Sequence, residues 1–131
     1  MALTTYAANA ILNHLDGSAA FAKPTVFVGL LASNPTVAGT QTSELAYAGY
    51  ARLATTAATW TAAAVGAANS AQQLTFGTKT DAGSVTASYW ATFDAATGGN
   101  MIEFGALGTP KTINQNDAPF IPAGSFTRTA S

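Results

Sequence analysis

The chain has no cysteine, a single histidine (His14), and charges on only 8% of its 131 residues. Without cysteine there is neither a disulfide framework nor a thiolate metal site. Nucleophilic and acid–base chemistry draws on His, Cys and paired carboxylates, so the stock from which an active site is built is small. The five basic residues, Lys23, Arg52, Lys79, Lys111 and Arg128, lie far apart. No electrostatic footprint for nucleic acid follows from such a distribution. No apolar run approaches the ~20 residues that a membrane helix needs. The opening Met1-Ala-Leu-Thr-Thr5 lacks a basic stretch followed by an apolar core, so no signal peptide is expected. These absences predict a chain made in the cytoplasm, with no cofactor, no metal, and neither nucleic acid nor membrane as a partner.

What is present is alanine and threonine, thirty of the first and twenty of the second. A buried alanine removes little apolar surface, whereas a fully buried Leu or Phe contributes about 1.5–3 kcal/mol. The larger apolar residues number only thirty-three, so the core is thin for a chain of this length. Net charge is −1, which keeps order the better expectation than disorder. A free monomer usually carries a well-charged exterior. Here the exterior must be mostly Ala, Thr, Ser, Asn and Gln, a surface that is cheap to desolvate and suits a subunit packed into an assembly.

No linker divides the chain, and a single domain over 1–131 is predicted. One helix stands out at about 4–16. Thr4 or Thr5 can cap its start and Asp16-Gly17 can stop it, and Ala7, Ala8, Ile11 and Leu15 share a face opposite Asn9 and Asn13. A β-rich body follows over about 24–131. Thr25–Leu31 reads as a buried strand closed by Ser33-Asn34-Pro35. Tyr50–Trp60 is a predicted strand, and Gln73–Thr78 a short one. Segment 61–71 is ambiguous, because alanine favours helix while Gly66 and the flanking threonines favour loop. Val85–Phe93 and Met101–Leu107, joined through Gly98-Gly99-Asn100, must be antiparallel. Lys111–Ile113, Ala118–Ile121 and Gly124–Thr129 add short strands. Together they predict a mainly β fold, an antiparallel β-sandwich or barrel of jelly-roll type, with one short N-terminal helix.

Each candidate for chemistry has a plain structural reading beside it. His14 lies at the edge of the helix's apolar face with no partner for catalysis. Asp94 and Glu103 flank the long hairpin loop, where paired carboxylates can bind calcium or cleave a glycan, although Asp at a turn is explained by local hydrogen bonding. Asn114-Gln-Asn-Asp117 is oxygen-rich but lacks the calcium-loop pattern. Gly98-Gly99 is no phosphate loop, since no helix follows it. Tyr47, Tyr50, Trp60, Tyr89 and Trp90 are the aromatic candidates for recognition, and adjacent Tyr89 and Trp90 must point to opposite sheet faces. For a protein interface the first candidates are Tyr50 and Arg52, residue types enriched at interface anchors. The competing reading puts Tyr50 in the core and Arg52 in solvent.

Several blocks recur in a known order: Tyr6-Ala-Ala-Asn9, Val26-Phe-Val-Gly-Leu30, Glu44 with Gly49-Tyr50-Ala-Arg52, Phe93-Asp94-Ala-Ala-Thr-Gly-Gly-Asn100, Phe104-Gly105-Ala106-Leu107 and Pro122-Ala-Gly124. Over nearly its whole length the chain resembles a family of small tailed-bacteriophage virion proteins, often labelled tail fibre proteins and similar to head decoration (cement) proteins. The resemblance implies a virion structural domain, self-association (often as homotrimers) and attachment to the major capsid protein or to tail proteins. It supplies no catalytic residues. The leading expectation is a decoration protein that cements the head by bridging coat subunits. The alternative is a tail fibre or appendage subunit involved in host attachment, and a glycan-cleaving enzyme is the remote third.

Overall fold

The computed structural model describes residues 2–22 and 24–129. Its centre is a five-stranded antiparallel sheet in the order β1-β7-β6-β2-β3. These strands are β1 (Ala2–Leu3), β2 (Phe27–Leu31), β3 (Leu53–Ala54), β6 (Val85–Phe93) and β7 (Met101–Ile113). The sheet is open, with β1 and β3 as its edges, so the barrel alternative does not hold. Two ribbons complete the body: β4 (Ala67–Asn69) pairs with β9 (Thr127–Thr129), and β5 (Leu74–Thr75) with β8 (Phe120–Ile121). The fold is mainly β with one short N-terminal helix, as expected.

That helix, α1, spans Thr5–Leu15. Thr4 is its N-cap: its hydroxyl accepts from Ala7 N–H (3.3 Å) and donates to Met101 O (2.6 Å), which fixes the helix start to β7. Gly17 takes φ +80° just beyond Asp16 and ends it. Of the predicted apolar face only Ala7 is buried, while Leu12 and Leu15 are 60% and 76% exposed. The helix thus covers the sheet with its first turns and leaves the rest of its face open.

Strand β2 shows why the sheet needs cover on both sides. Its odd residues, Phe27 and Leu31, join Ala91, Phe93, Met101 and Phe104 on one face. Its even residues, Val28 and Leu30, join Trp90, Phe76, Leu74 and Phe126 on the other. On β6, Trp90 and Tyr89 fall to opposite faces, as predicted from the pleat. Trp90 lies flat over Gly105 of β7, where an added Cβ would come within 2.7 Å of the indole. Its ring also meets Phe126, centroid to centroid 4.0 Å. The separate strand predicted at Lys111–Ile113 is the end of β7, resumed after an excursion. Ala87 faces Lys111 and Tyr89 faces Ala106, so Leu107–Pro110 bulge out of the ladder. A proline is tolerated in such a bulge because no ladder donor is required of it.

Two segments depart from expectation. The strand predicted over Tyr50–Trp60 is reduced to β3, followed by a 3₁₀ turn at Ala57–Thr59. There Thr56 and Thr59 satisfy one another's backbone, which halts extended pairing. Segment 61–71 is neither helix nor loop but a hairpin, with Trp60 opposite Ser70 and Ala64 opposite Ala67. Ala64 and Ala67 exchange both hydrogen bonds (2.8 and 3.0 Å) around Val65 and Gly66. Their φ values of +53° and +72° form the primed turn whose twist suits a two-residue hairpin. Glycine adopts this conformation freely; a β-branched valine does so at a cost of about 1–3 kcal/mol.

Candidate functional site

The residues predicted as interface anchors meet along the outer edge of β2. Strand β3 pairs only with Phe27 and Val28, so the backbone beyond finds other partners. Leu30 N–H donates to the Tyr50 hydroxyl (3.1 Å), and Leu30 O accepts from Leu45 N–H (3.0 Å). The Tyr50 hydroxyl donates to Glu44 Oε1 (2.8 Å). Glu44 in turn binds Arg52 through two oxygens, Nε to Oε1 and Nη2 to Oε2, both 2.7 Å. The other guanidinium N–H groups reach Gln41 Oε1 (3.0 Å), Ala95 O (2.9 Å) and Gly98 O (2.8 Å). All five donors of Arg52 are therefore engaged within the chain. Its cation lies 3.5 Å from the centroid of Phe93, and its side chain is 3% exposed. Burial pushes the Tyr50 phenol well above its ordinary range. The pair braces residues 41–52 against the loop between β6 and β7.

Gly29 of β2 lies beneath this network. A Cβ there would stand 2.8 Å from the Tyr50 hydroxyl, 2.9 Å from Phe93 and 3.1 Å from Glu44. The glycine in Val26-Phe-Val-Gly-Leu30 is thus a packing requirement of the Glu44–Tyr50–Arg52 cluster.

Asp94 and Glu103 are not brought together. Asp94 accepts from Asn100 N–H (2.7 Å), Asn100 Nδ2 (3.0 Å) and the Tyr6 hydroxyl (3.4 Å), and closes the hairpin loop onto α1. Partial burial opposes its ionisation, but these donors outweigh it and lower its pKa. Glu103, on β7 opposite Thr92, is 2% exposed and pairs with Arg128 of β9. Desolvation raises its pKa, and Arg128 opposes that rise only in part. The Arg128 guanidinium also lies 4.8 Å from the Trp60 ring centroid. The ion pair ties the β4–β9 ribbon to the main sheet.

Beside that pair opens a cleft of about 450 Å³, walled by Leu3 of β1, Ile11 of α1, Phe21, Val26, Ala68 of β4 and Ile102 of β7. Its size falls in the ~300–1,000 Å³ range usual for recognition pockets. Among the described residues, Glu103 and Arg128 are the only charged side chains lining it. The open face of α1 borders it through Ile11. Asp94 borders a different cleft, with Tyr6 and Asn13. Among the described residues, no three His, Asp or Glu side chains are grouped to hold a metal ion.

Of the aromatic candidates, Tyr47 and Trp90 are core residues, and the Tyr47 hydroxyl donates to Gly77 O (2.9 Å). Trp60 and Tyr89 are half-buried. The aromatics most open to solvent are instead Tyr6 and Phe120. His14 accepts from Phe21 N–H (3.2 Å) and pins the segment after the helix, a structural role. Asn114–Asp117 is a plain turn in which Asp117 caps Asn114 N–H (2.8 Å). Lys79 gave no signal beyond its charge, yet it is 1% exposed and donates to Asp81 O, Asp81 Oδ1 and Ala82 O at 2.6, 2.9 and 3.0 Å.

The class so defined is a small open-sheet β domain. Its charged side chains lock its own loops, while an apolar cleft and helix face are left uncovered. A family model described as "Podophage GP4 fiber I protein gp80" matches residues 2–129. The chain belongs to this family, and with it to the structural proteins of tailed-phage virions. None of the curated proteins matches it.

Proposed function

We propose that this chain is a subunit of a phage tail fibre or appendage, working mechanically by fitting against other virion proteins and copies of itself. The observation that carries this reading is membership of a fibre family over 2–129. Three features of the molecule support it. Helix α1 presents Leu12 and Leu15 to solvent with no acidic or basic residue except His14 along its length. Only 8% of the whole chain is charged, so desolvating its surface costs little. The carboxylates from which hydrolytic chemistry would be assembled, Asp94 and Glu103, have separate partners and open into separate clefts. In a fibre, the ion-paired loops keep the domain rigid while the apolar surface joins it to neighbours.

The test is the number of copies per purified particle, measured by quantitative mass spectrometry against the major capsid protein. A fibre subunit is present in at most a few dozen copies. Hundreds of copies would establish the head-decorating reading instead, in which the same apolar surface clamps coat subunits. Absence from the particle would overturn both.

A further inference from the structure

The two arginines of the chain are satisfied to different degrees. Arg52 spends all five of its guanidinium N–H groups on acceptors of its own chain. Arg128 spends one, the Nε–H that donates to Glu103 Oε1. Among the described residues, its four Nη hydrogens have no acceptor. A guanidinium is a planar fork, so a carboxylate held at Nε leaves the Nη edge free to take a second one. Arg128 is also well placed to keep those donors in position. Its partner Glu103 is 2% exposed, its own side chain is 28% exposed, and its cation lies against the Trp60 ring.

This guanidinium stands where two clefts adjoin. Pro24, Val26 and Arg128 line both the apolar cleft of about 450 Å³ and a second one of about 340 Å³. Large apolar side chains, Leu3, Ile11, Phe21 and Ile102, wall the first. The second adds Thr25, Thr56 and Trp60. A volume of this order suits a small molecule, whose recognition needs apolar walls and a few polar groups that fix its orientation. The walls call for hydrocarbon, and the unspent donors call for an anionic oxygen at one end of it.

We propose that this cleft binds a single-chain aliphatic carboxylate, its hydrocarbon against Ile11, Phe21 and Ile102 and its carboxylate on the Nη edge of Arg128. Glu103 has two effects on such a ligand. It positions Arg128 through Nε, and as a neighbouring carboxylate it repels the anion. Burial raises the pKa of Glu103, so it takes up a proton more readily than an ordinary glutamate, which lessens the repulsion. The proposal goes beyond the fibre reading and does not depend on it, since a ligand within the cleft leaves the surface around its mouth free to meet a neighbour.

The test is an NMR titration of the purified full chain with octanoate, octanol and octylammonium, with the Trp60 indole N–H as the local reporter. The three share one hydrocarbon chain and differ only in the head group. Octanoate should bind roughly ten-fold or more tightly than octanol, the preference that hydrogen bonds to a charged group supply, and octylammonium should bind most weakly. Arg128→Gln should abolish the preference for octanoate and leave octanol binding as it was. Glu103→Gln still offers Arg128 an acceptor but removes the repelling charge, so it should tighten octanoate binding. Equal binding of octanoate and octanol by the wild-type chain, or no binding of either, overturns the proposal without recourse to any variant. A preference for octanoate that survives in Arg128→Gln overturns the assignment of the head-group site. None of these results bears on the copy number by which the fibre reading stands or falls.

Discussion

Replacing Arg52 with methionine keeps the stem of the side chain and removes its charge. Three consequences follow from the geometry. Glu44, whose side chain is 17% exposed, loses both of its hydrogen bonds to the guanidinium. The Ala95 and Gly98 carbonyls lose the donor that holds the β6–β7 loop. Phe93 loses the cation over its ring. Removing one partner of a buried pair costs about 3–5 kcal/mol, because the other charge is left without compensation. A domain of this size has about 5–15 kcal/mol of stability in total. The thermal midpoint should therefore fall by on the order of 10–20 °C, measured by calorimetry at a fixed protein concentration. The double variant Arg52→Met with Glu44→Gln should recover part of the loss, since no orphaned charge remains. A midpoint for Arg52→Met within about 2 °C of wild type, with assembly impaired, would refute the bracing role and make Arg52 an interface anchor.

Two further outcomes follow. Because burial raises the pKa of Glu103, the folded protein retains a proton that the unfolded chain has released once pH passes the ordinary value of 4.5. Stability from this group is present below that value and is lost as pH rises through the raised one; Glu103→Gln should narrow its deficit against wild type over that window in thermal melts, and a constant deficit contradicts the assignment. Gly105→Ala sets a methyl 2.7 Å from the Trp90 indole, an overpacking that should cost about 1–3 kcal/mol in urea denaturation; a midpoint unmoved from wild type would mean the two strands separate freely there.

What could be read in advance was local. The Thr4 cap, the stop at Gly17, the β-branched run before Leu31 and the glycine-rich turn after Phe93 each act within a few residues, and each fell where expected. Strand β1 is two residues long and pairs with distant β7, so no periodicity could announce it. Strands β3, β5 and β8 fall inside the strands expected at Tyr50–Trp60, Gln73–Thr78 and Ala118–Ile121, each cut to two residues because its partner is equally short or distant. The Ala-rich hairpin escaped for a related reason: its register is set by β9, at the far end of the chain, not by alternation of its own side chains. Tyr50 and Arg52 stood out by type, and Glu44 by its place before them. That all three meet over Gly29 depended on β3 being too short to cover β2. Glu103 and Arg128 carried no mutual signal, because only the sheet places them together.

The proposed role of this domain as a fitted part of a phage fibre is open to direct test by cryo-electron microscopy of intact virions. Appendage density should be found into which the five-stranded sheet fits, with the α1 face and the adjoining cleft covered by neighbouring subunits. Density for this fold confined to the capsid shell, or found nowhere on the particle, would contradict it.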